Sequence, residues 1–384
     1  MKILFILHFP PPVHGAAMVG KAIKESQVIN KEFDCRYINL GLSDRLDAIG
    51  KNVFGKVFRY FSLLGQVARQ LLFFKPDICY LTIQIYRIGF YKDLPMALLA
   101  KLFCKKVVYH LHNKGVSTFQ HRFVDNLLYR LVFNNADVIL LSKFLYPDIQ
   151  KYVPEERVRY CANGIGETGE GRTENGEGRT ERGNWRKENG ERGTETGDEK
   201  TEKEPVEILF LSNLIESKGV FVLLKACKIL QTKKLNFRCT FVGGIGDITE
   251  FQFLYKVAQL GLAKLVTYGG KKYGAEKETA FLNADIFVHP TYNDCLPLVL
   301  LEAMQHSLPI VSTYEGAIPE IVEDGKNGFL VQQKDASALA EKLENLILNP
   351  QLRNQMGTAG RKKYENEFNL EKFENRMVEI LSSL

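Results

Sequence analysis

One stretch in the middle of this chain cannot belong to a packed core, and it divides the rest in two. Between Gly166 and Glu204 nearly every residue is Gly, Glu, Arg, Thr, Asn or Lys, and Trp185 is the one large apolar side chain. Within it GEGRTEN (169–175) is followed directly by GEGRTER (176–182), a tandem repeat of seven residues. Such a composition buries too little apolar surface to offset the entropy of ordering, so the segment reads as a flexible linker. The total of 384 residues also suits two domains better than one, since domains usually hold roughly 100–200 residues.

The two flanks repeat a strand, loop and helix plan. The front half offers apolar strands at KILFIL (2–7), CRYINL (35–40), DICYLT (77–82), KVVYHLH (106–112) and DVILLS (137–142). Helical patterns lie between them, for example Leu94–Phe103 and Arg122–Asn134. The back half follows suit with VEILFLS (206–212), RCTFVGG (238–244), LVTYGG (265–270), DIFVHP (285–290) and LPIVST (308–313). Continuous apolar runs separated by helices predict parallel sheets covered on both faces. The fold class expected is α/β, with two Rossmann-like doubly wound domains facing across a cleft. The cleft lies at the carboxyl ends of the strands, where such sheets bind ligands.

Charge and cysteine usage narrow the classes. The net charge of +6 conceals an asymmetry: residues 1–160 carry +11 and the remainder −5. A basic front half points to an anionic partner such as phosphates or a membrane surface, and no feature points to nucleic acid. Seven cysteines are scattered singly, with no CxxC pair. That pattern suits a reduced, cytoplasmic protein with buried thiols and no metal site. The opening MKILFILHFPPPVHG imitates a signal peptide, but its apolar run is short and no cleavage site follows. No apolar stretch approaches the ~20 residues that span a bilayer.

Several residues fall where chemistry is expected. Gly15, with Ala16 and Ala17, ends the loop after the first strand, where small residues let backbone N–H groups approach an anion. That loop lacks the GxGxxG spacing of a dinucleotide site. In FLSNLIESKGVFVLLKA (210–226), Lys218 precedes Gly219 before a helix and can neutralise a diphosphate. Asp294 follows the strand DIFVHP, and Glu302 falls about two turns into the next helix, able to accept from ribose hydroxyls. A further loop and helix start, GAIPEIVEDGKNGFLV, carries Glu320. For Asp294 a loop or N-cap role competes with a substrate role. For His112 the competing account is a strand-end histidine with its hydrogen bonds satisfied, and His8 and His14 read as structural. Cys295 has no visible activating partner and is not read as a nucleophile.

Together these strings resemble the retaining glycosyltransferases of family 4, which have the GT-B fold. The family's G-R-L…K-G loop appears as Ser212-Asn213-Leu214…Lys218-Gly219, its E-x7-E motif as Asp294…Glu302, and its G-G-x-x-E turn within Glu315–Glu320. The resemblance covers nearly the whole chain outside 166–204. It implies that Lys218 contacts the donor diphosphate, that Glu302 holds the ribose, and that Gly270 and Lys271 lie beside the base. It places His112, in KVVYHLHNKG, near the donor sugar, ahead of His110. Asn163-Gly164-Ile165 matches the N-G-I/V step that closes the front domain. The domains implied are 1–165, the insertion 166–204 at the hinge, 205–368, and a last helix (369–384) returning to the front domain. Two departures matter: Asn213 stands where the family has an Arg beside the phosphates, and Asp294 is one methylene shorter than the family's Glu.

The expected function is retaining transfer of a sugar from a nucleotide sugar, UDP- or GDP-linked, with no cofactor and no metal. The acceptor expected is a cell-envelope glycan or a polyprenyl-diphosphate-linked sugar. The basic, aromatic-rich stretch 53–74 adds a membrane expectation: a helix packed on the front sheet that also docks on the inner face of an anionic membrane. Two rivals stand beside this. A sugar-nucleotide epimerase of the same fold would release nucleotide with no acceptor, and a non-catalytic scaffold would bind no nucleotide at all.

Overall fold

The structure is a computed structural model and describes residues 1–11, 14–41, 53–167 and 204–384. Most of the segment expected to be a linker, 166–204, lies outside the described residues. The front domain opens with β1 (Lys2–Leu7), α1 (Gly15–Glu25), α2 (Gln27–Glu32), β2 (Asp34–Asn39) and α3 (Val53–Phe73). It continues through β3 (Ile78–Leu81), α4 (Arg87–Phe103), β4 (Lys106–Leu111), α5 (Val116–Phe119), α6 (Phe123–Phe133), β5 (Asp137–Leu140) and β6 (Val158–Tyr160).

The back domain repeats the alternation. It runs β7 (Val206–Leu211), α7 (Val220–Thr232), β8 (Phe237–Val242), α8 (Glu250–Gln259), β9 (Val266–Tyr268), α9 (Gly274–Leu282) and β10 (Ile286–His289). Then come α10 (Leu298–Gln305), β11 (Ile310–Thr313), α11 (Ile318–Ile321), β12 (Gly328–Val331), α12 (Ala336–Leu348), α13 (Pro350–Lys363) and α14 (Leu370–Ser383).

Both sheets are six-stranded and parallel, in the orders β2-β1-β3-β4-β5-β6 and β12-β11-β10-β7-β8-β9. Strand β1 is paired with Ile3 opposite Ile78 and Ile6 opposite Leu81, and its residues from Ile3 to Leu7 are wholly buried. Two strands went unread in the sequence. β6 has three residues, too few for a pattern, and β12 follows the loop Gly325-Lys326-Asn327 and reads as part of it. Both are edge strands, where short pairing suffices.

Each sheet has one point where the order reverses, between β1 and β3 in front and between β7 and β10 behind. Loops leaving adjacent strands there run to opposite sides and open a crevice at the carboxyl ends. The loops after β7 and β10 carry Lys218 and Asp294 to the back crevice, and the loop after β1 carries His14 to the front one.

The chain crosses between domains twice, and the crossings are tied together. Ile165 N–H donates to Phe368 O at 3.1 Å, and the Tyr364 hydroxyl donates to Ile165 O at 2.8 Å. Gln305 Nε2 donates to Gly166 O and to the Tyr364 hydroxyl, each at 2.7 Å. Arg361 grips Glu167 with two nitrogens, at 2.7 and 3.2 Å. Beyond this knot, α14 packs on α2 and sends Phe373, Met377, Ile380 and Leu381 into the front-domain core beside Ile3, Phe5 and Ile23.

Lys218 is aimed by Gly219, which has φ of +83° and leads from a 3-10 turn (Glu216–Lys218) into α7. A Cβ there would collide with the carbonyl oxygen of Pro290. We predict that Gly219→Ala costs about 2–4 kcal/mol, from left-handed strain plus overpacking. Urea unfolding of the two proteins measures it; an unchanged midpoint contradicts the tight approach.

Candidate active site

The back wall of the cleft is organised by an unusually dense set of charges. Lys218 Nζ lies 2.6 Å from Asp294 Oδ2, and His289 Nε2 reaches the same oxygen at 3.0 Å. His289 ends β10, is 1% exposed, and has ring neighbours Phe210 and Phe287, which fix its orientation. Burial by itself would raise the Asp294 pKa. The hydrogen bond to His289 and the Lys218 ammonium outweigh burial and hold it at about 2. Lys218 and Asp294, read separately in the sequence, therefore form one ion pair, and Lys218 is not the unpaired cation that a diphosphate site suggests.

A second carboxylate, Glu315, sits next to this pair. Its Oε1 accepts the Asp294 N–H at 2.9 Å, and its Oε2 accepts from Gln333 at 2.6 Å. It is 5% exposed and forms an ion pair with Lys114, which comes from the loop after β4 in the front domain. A buried carboxylate thus bridges the two domains, a role that sequence reasoning missed. It passed over Glu315 in favour of Glu320, whose Oε2 is buried with no partner among the described residues.

Glu302 lies further along the wall, at the fifth position of α10, and so closer to the start of the helix than the two turns expected. Its Oε1 accepts from Lys277 Nζ at 2.6 Å, while its buried Oε2 has no partner among the described residues. The two residues line an open cavity of about 200 Å³ with Gly274, Glu278 and Phe281. Lys277 was not legible beforehand, because it sits on a different helix.

Around the rim, Asn213 Oδ1 accepts the Gly244 N–H at 3.0 Å and ties the loops after β7 and β8 together. Gly270 has φ of +65° with open space on its Cβ side, and its carbonyl accepts from Gly243 N–H at 2.8 Å. Lys271 Nζ stands 4.9 Å from the centre of the Tyr273 ring.

The front wall holds a group of histidines. His110 and His112 alternate on β4 and its end, with ring centres 4.2 Å apart, and His8 lies 5.8 Å from His14. His110 is fully buried and bonded to the Tyr80 hydroxyl, whereas neither ring nitrogen of His112 has a partner among the described residues. The account of His112 as a satisfied strand-end histidine therefore fails. His14, read as merely structural, caps α1 by accepting the Ala17 N–H at 3.3 Å on Nδ1. Gly15 is the first residue of that helix and faces the back wall: a Cβ there would lie 4.0 Å from Leu298 Cδ1 of α10.

Burial, with help from the neighbouring His8 and His14, drops the His112 pKa to about 3, and His8 falls to about 4. The site is thus lined by neutral imidazoles in front and by a paired ammonium and carboxylates behind.

Known proteins share this fold and the sequence of its back domain. Against the Alr3699/HepE structure from Anabaena, solved in complex with UDP, the chain aligns over its full length and that of its counterpart, with a TM-score of 0.71 at 17% identity. The fold is GT-B. Residues 192–363, essentially the back domain, match the family model of the glycosyl transferases group 1. Over 187 residues the chain is 34% identical to the amylovoran biosynthesis glycosyltransferase AmsK of Erwinia amylovora, and 32% identical to the putative colanic acid biosynthesis glycosyltransferase WcaL of Escherichia coli. In both alignments 47% of this chain meets 46% of the relative, so the chain spans about half the length of the curated relatives it matches.

The buried histidines and Asp294 contribute to how the chain responds to acid. An unfolded chain protonates His112 near 6.5, whereas the folded one resists until about 3. The unfolded state therefore binds more protons in between, and stability falls as the pH falls through that window. Asp294 adds a loss at lower pH, from its ordinary 3.8 down to about 2. We predict that His112→Asn removes roughly 3 kcal/mol of the loss between about pH 7 and about pH 4. Urea unfolding at the two pH values checks this; an equal loss in both proteins contradicts it.

Proposed function

We propose that the protein is a retaining glycosyltransferase that takes a UDP- or GDP-linked sugar. The observation that carries this reading is the set Lys218, Asp294, Glu302 and the Gly15 helix start, gathered at the two switch points of a GT-B fold. The family match of the back domain supports it. Relatives named for colanic acid and amylovoran biosynthesis support a polysaccharide precursor as the acceptor, and we take it to be a cell-envelope glycan or a polyprenyl-diphosphate-linked sugar. Such an acceptor would be met at the inner face of an anionic membrane.

In this reading Lys218 turns from Asp294 towards the diphosphate, and N–H groups at the start of α1 face the same charge. The unpartnered Oε2 of Glu302 accepts from a ribose hydroxyl, with Lys277 steadying the other oxygen. Gly270 and Lys271 flank the base, and Asn213 keeps the loop ends together without adding a cation. The bond from sugar C1 to the diphosphate oxygen breaks, and its electron pair leaves with the nucleotide. The acceptor oxygen bonds to C1 from the same face and passes its proton to the departing phosphate. Asp294, anionic across the physiological range, and neutral His112 hold the sugar between them. No metal has a role in these steps.

Calorimetric titration with UDP and GDP tests the proposal. One nucleotide is expected to bind, and Lys218→Ala to weaken it roughly 10- to 100-fold, the worth of a charge-assisted hydrogen bond. Folded protein that binds neither nucleotide favours the scaffold and overturns the proposal. Free nucleotide formed from the sugar donor without acceptor favours the epimerase.

A further inference from the structure

Three front-domain helices leave in water the kind of side chain that a helix on a sheet turns inward. α3, α4 and α6 lie side by side on one face of the sheet, and their inner faces meet in one buried cluster through Val67, Phe90 and Tyr129. Their outer faces carry Phe61 and Leu72, Ile88 and Leu102, and Phe123 and Leu127, all exposed. Ile88 and Phe123 are the extremes, at 83% and 82%. Within each helix the spacing returns the pair to one side, so the residues form a stripe per helix. An amphipathic helix on a soluble domain has one apolar stripe, facing the core. These have two.

The charge on this layer is one-sided. Asp93 and Asp125 are the only acidic residues in the three helices, and both are buried. Asp93 accepts the Gln84 N–H at 2.9 Å and Asp125 accepts from the Tyr91 hydroxyl at 2.6 Å. Arg69, Arg87, Lys105, Arg122 and Arg130 stand exposed on the layer and its margins. An open cavity of about 400 Å³ lies between the ends of α3 and α4, lined by Leu72 and Phe103 together with Lys75, Lys105 and Asp77. A face that met only water would intersperse both signs of charge and few large apolar residues. A second copy of this chain would bring the same positive face to its twin, and like charges oppose that pairing.

We propose that the α3–α4–α6 face seats the protein on an anionic phospholipid bilayer, with its apolar stripes between the headgroups and its cations on the lipid phosphates. This locates the membrane contact of the function proposed above and rests on that reading for its purpose. α4 and α6 begin at the carboxyl edge of the sheet, so Ile88 and Phe123 lie at the cleft end of the face. Docking there brings the mouth of the cleft beside the headgroups, within reach of a lipid-anchored acceptor.

Flotation of the full chain with vesicles tests this, using phosphatidylcholine alone or mixed with phosphatidylglycerol at physiological ionic strength. The protein is expected to float with the mixed vesicles and not with phosphatidylcholine alone. The pair Ile88→Glu and Phe123→Glu is expected to weaken binding roughly 10- to 100-fold, the worth of burying such side chains. Phe251→Glu, 77% exposed on the back domain, is expected to change nothing. Circular dichroism and a UDP titration on each variant show that fold and donor site are intact. No flotation of the parent, or flotation undiminished in the double variant, overturns the proposal. So does a dimer by light scattering that the double variant dissociates, since the face then joins two copies. Flotation without nucleotide binding leaves this face standing and removes the donor-site reading instead.

Discussion

Parallel strands cannot be joined by a tight turn, and the layout of this protein follows from that constraint. Each strand must be followed by a crossover that returns to the starting edge of the sheet, so all carboxyl ends line up on one side. Both sheets obey this throughout, and each reverses its order once. The loops that carry Lys218 and Asp294 meet because they leave strands flanking the back reversal, while His14 sits at the front one. Buried on both faces, the strands become runs such as Ile3–Leu7, and the polar residues able to do chemistry are pushed to their ends.

The charges at those ends are economical. Asp294 is shared by Lys218 and His289 and is anchored through its N–H by Glu315, which Lys114 holds from the other domain. Among the described residues, the buried carboxylates Asp93, Asp125 and Glu315 each have an opposite charge or a hydrogen bond, as burial demands. The chain from Lys218 to Lys114 also means that loops of the two domains are coupled electrostatically. A ligand that draws Lys218 from Asp294 disturbs a set of contacts that ends on the front wall. Glu302 Oε2, Glu320 Oε2, His289 Nδ1 and both ring nitrogens of His112 are among the buried polar atoms left without a partner among the described residues.

Much of the architecture was legible in the sequence. The run KILFIL coincides with β1, and the strands read at 77–82, 137–142, 206–212 and 285–290 each contain the observed one, because apolar runs bounded by polar turns have few alternatives. α3 follows from its helical spacing, although the outward apolar stripe came to light only when α3, α4 and α6 were seen to share a layer. Asp294 and Glu302 were singled out by position after a strand and on a helix. Lys277, His289, Lys114 and Glu315 were not, since each works through a partner distant in sequence. Lys114 and Glu315 are separated by 201 positions.

The amino-acid order by itself determined the alternation of strands and helices and the loops where polar residues could gather, and composition alone sets 166–204 apart. Those depend on local periodicity and composition, which a reader of the chain can count. Only the tertiary structure decided that Lys218 and Asp294 are partners, that four histidines cluster in front, and that a carboxylate bridges the domains. Pairing and burial depend on distances across the fold, and a sidechain's protonation follows from what surrounds it rather than from its neighbours in the chain.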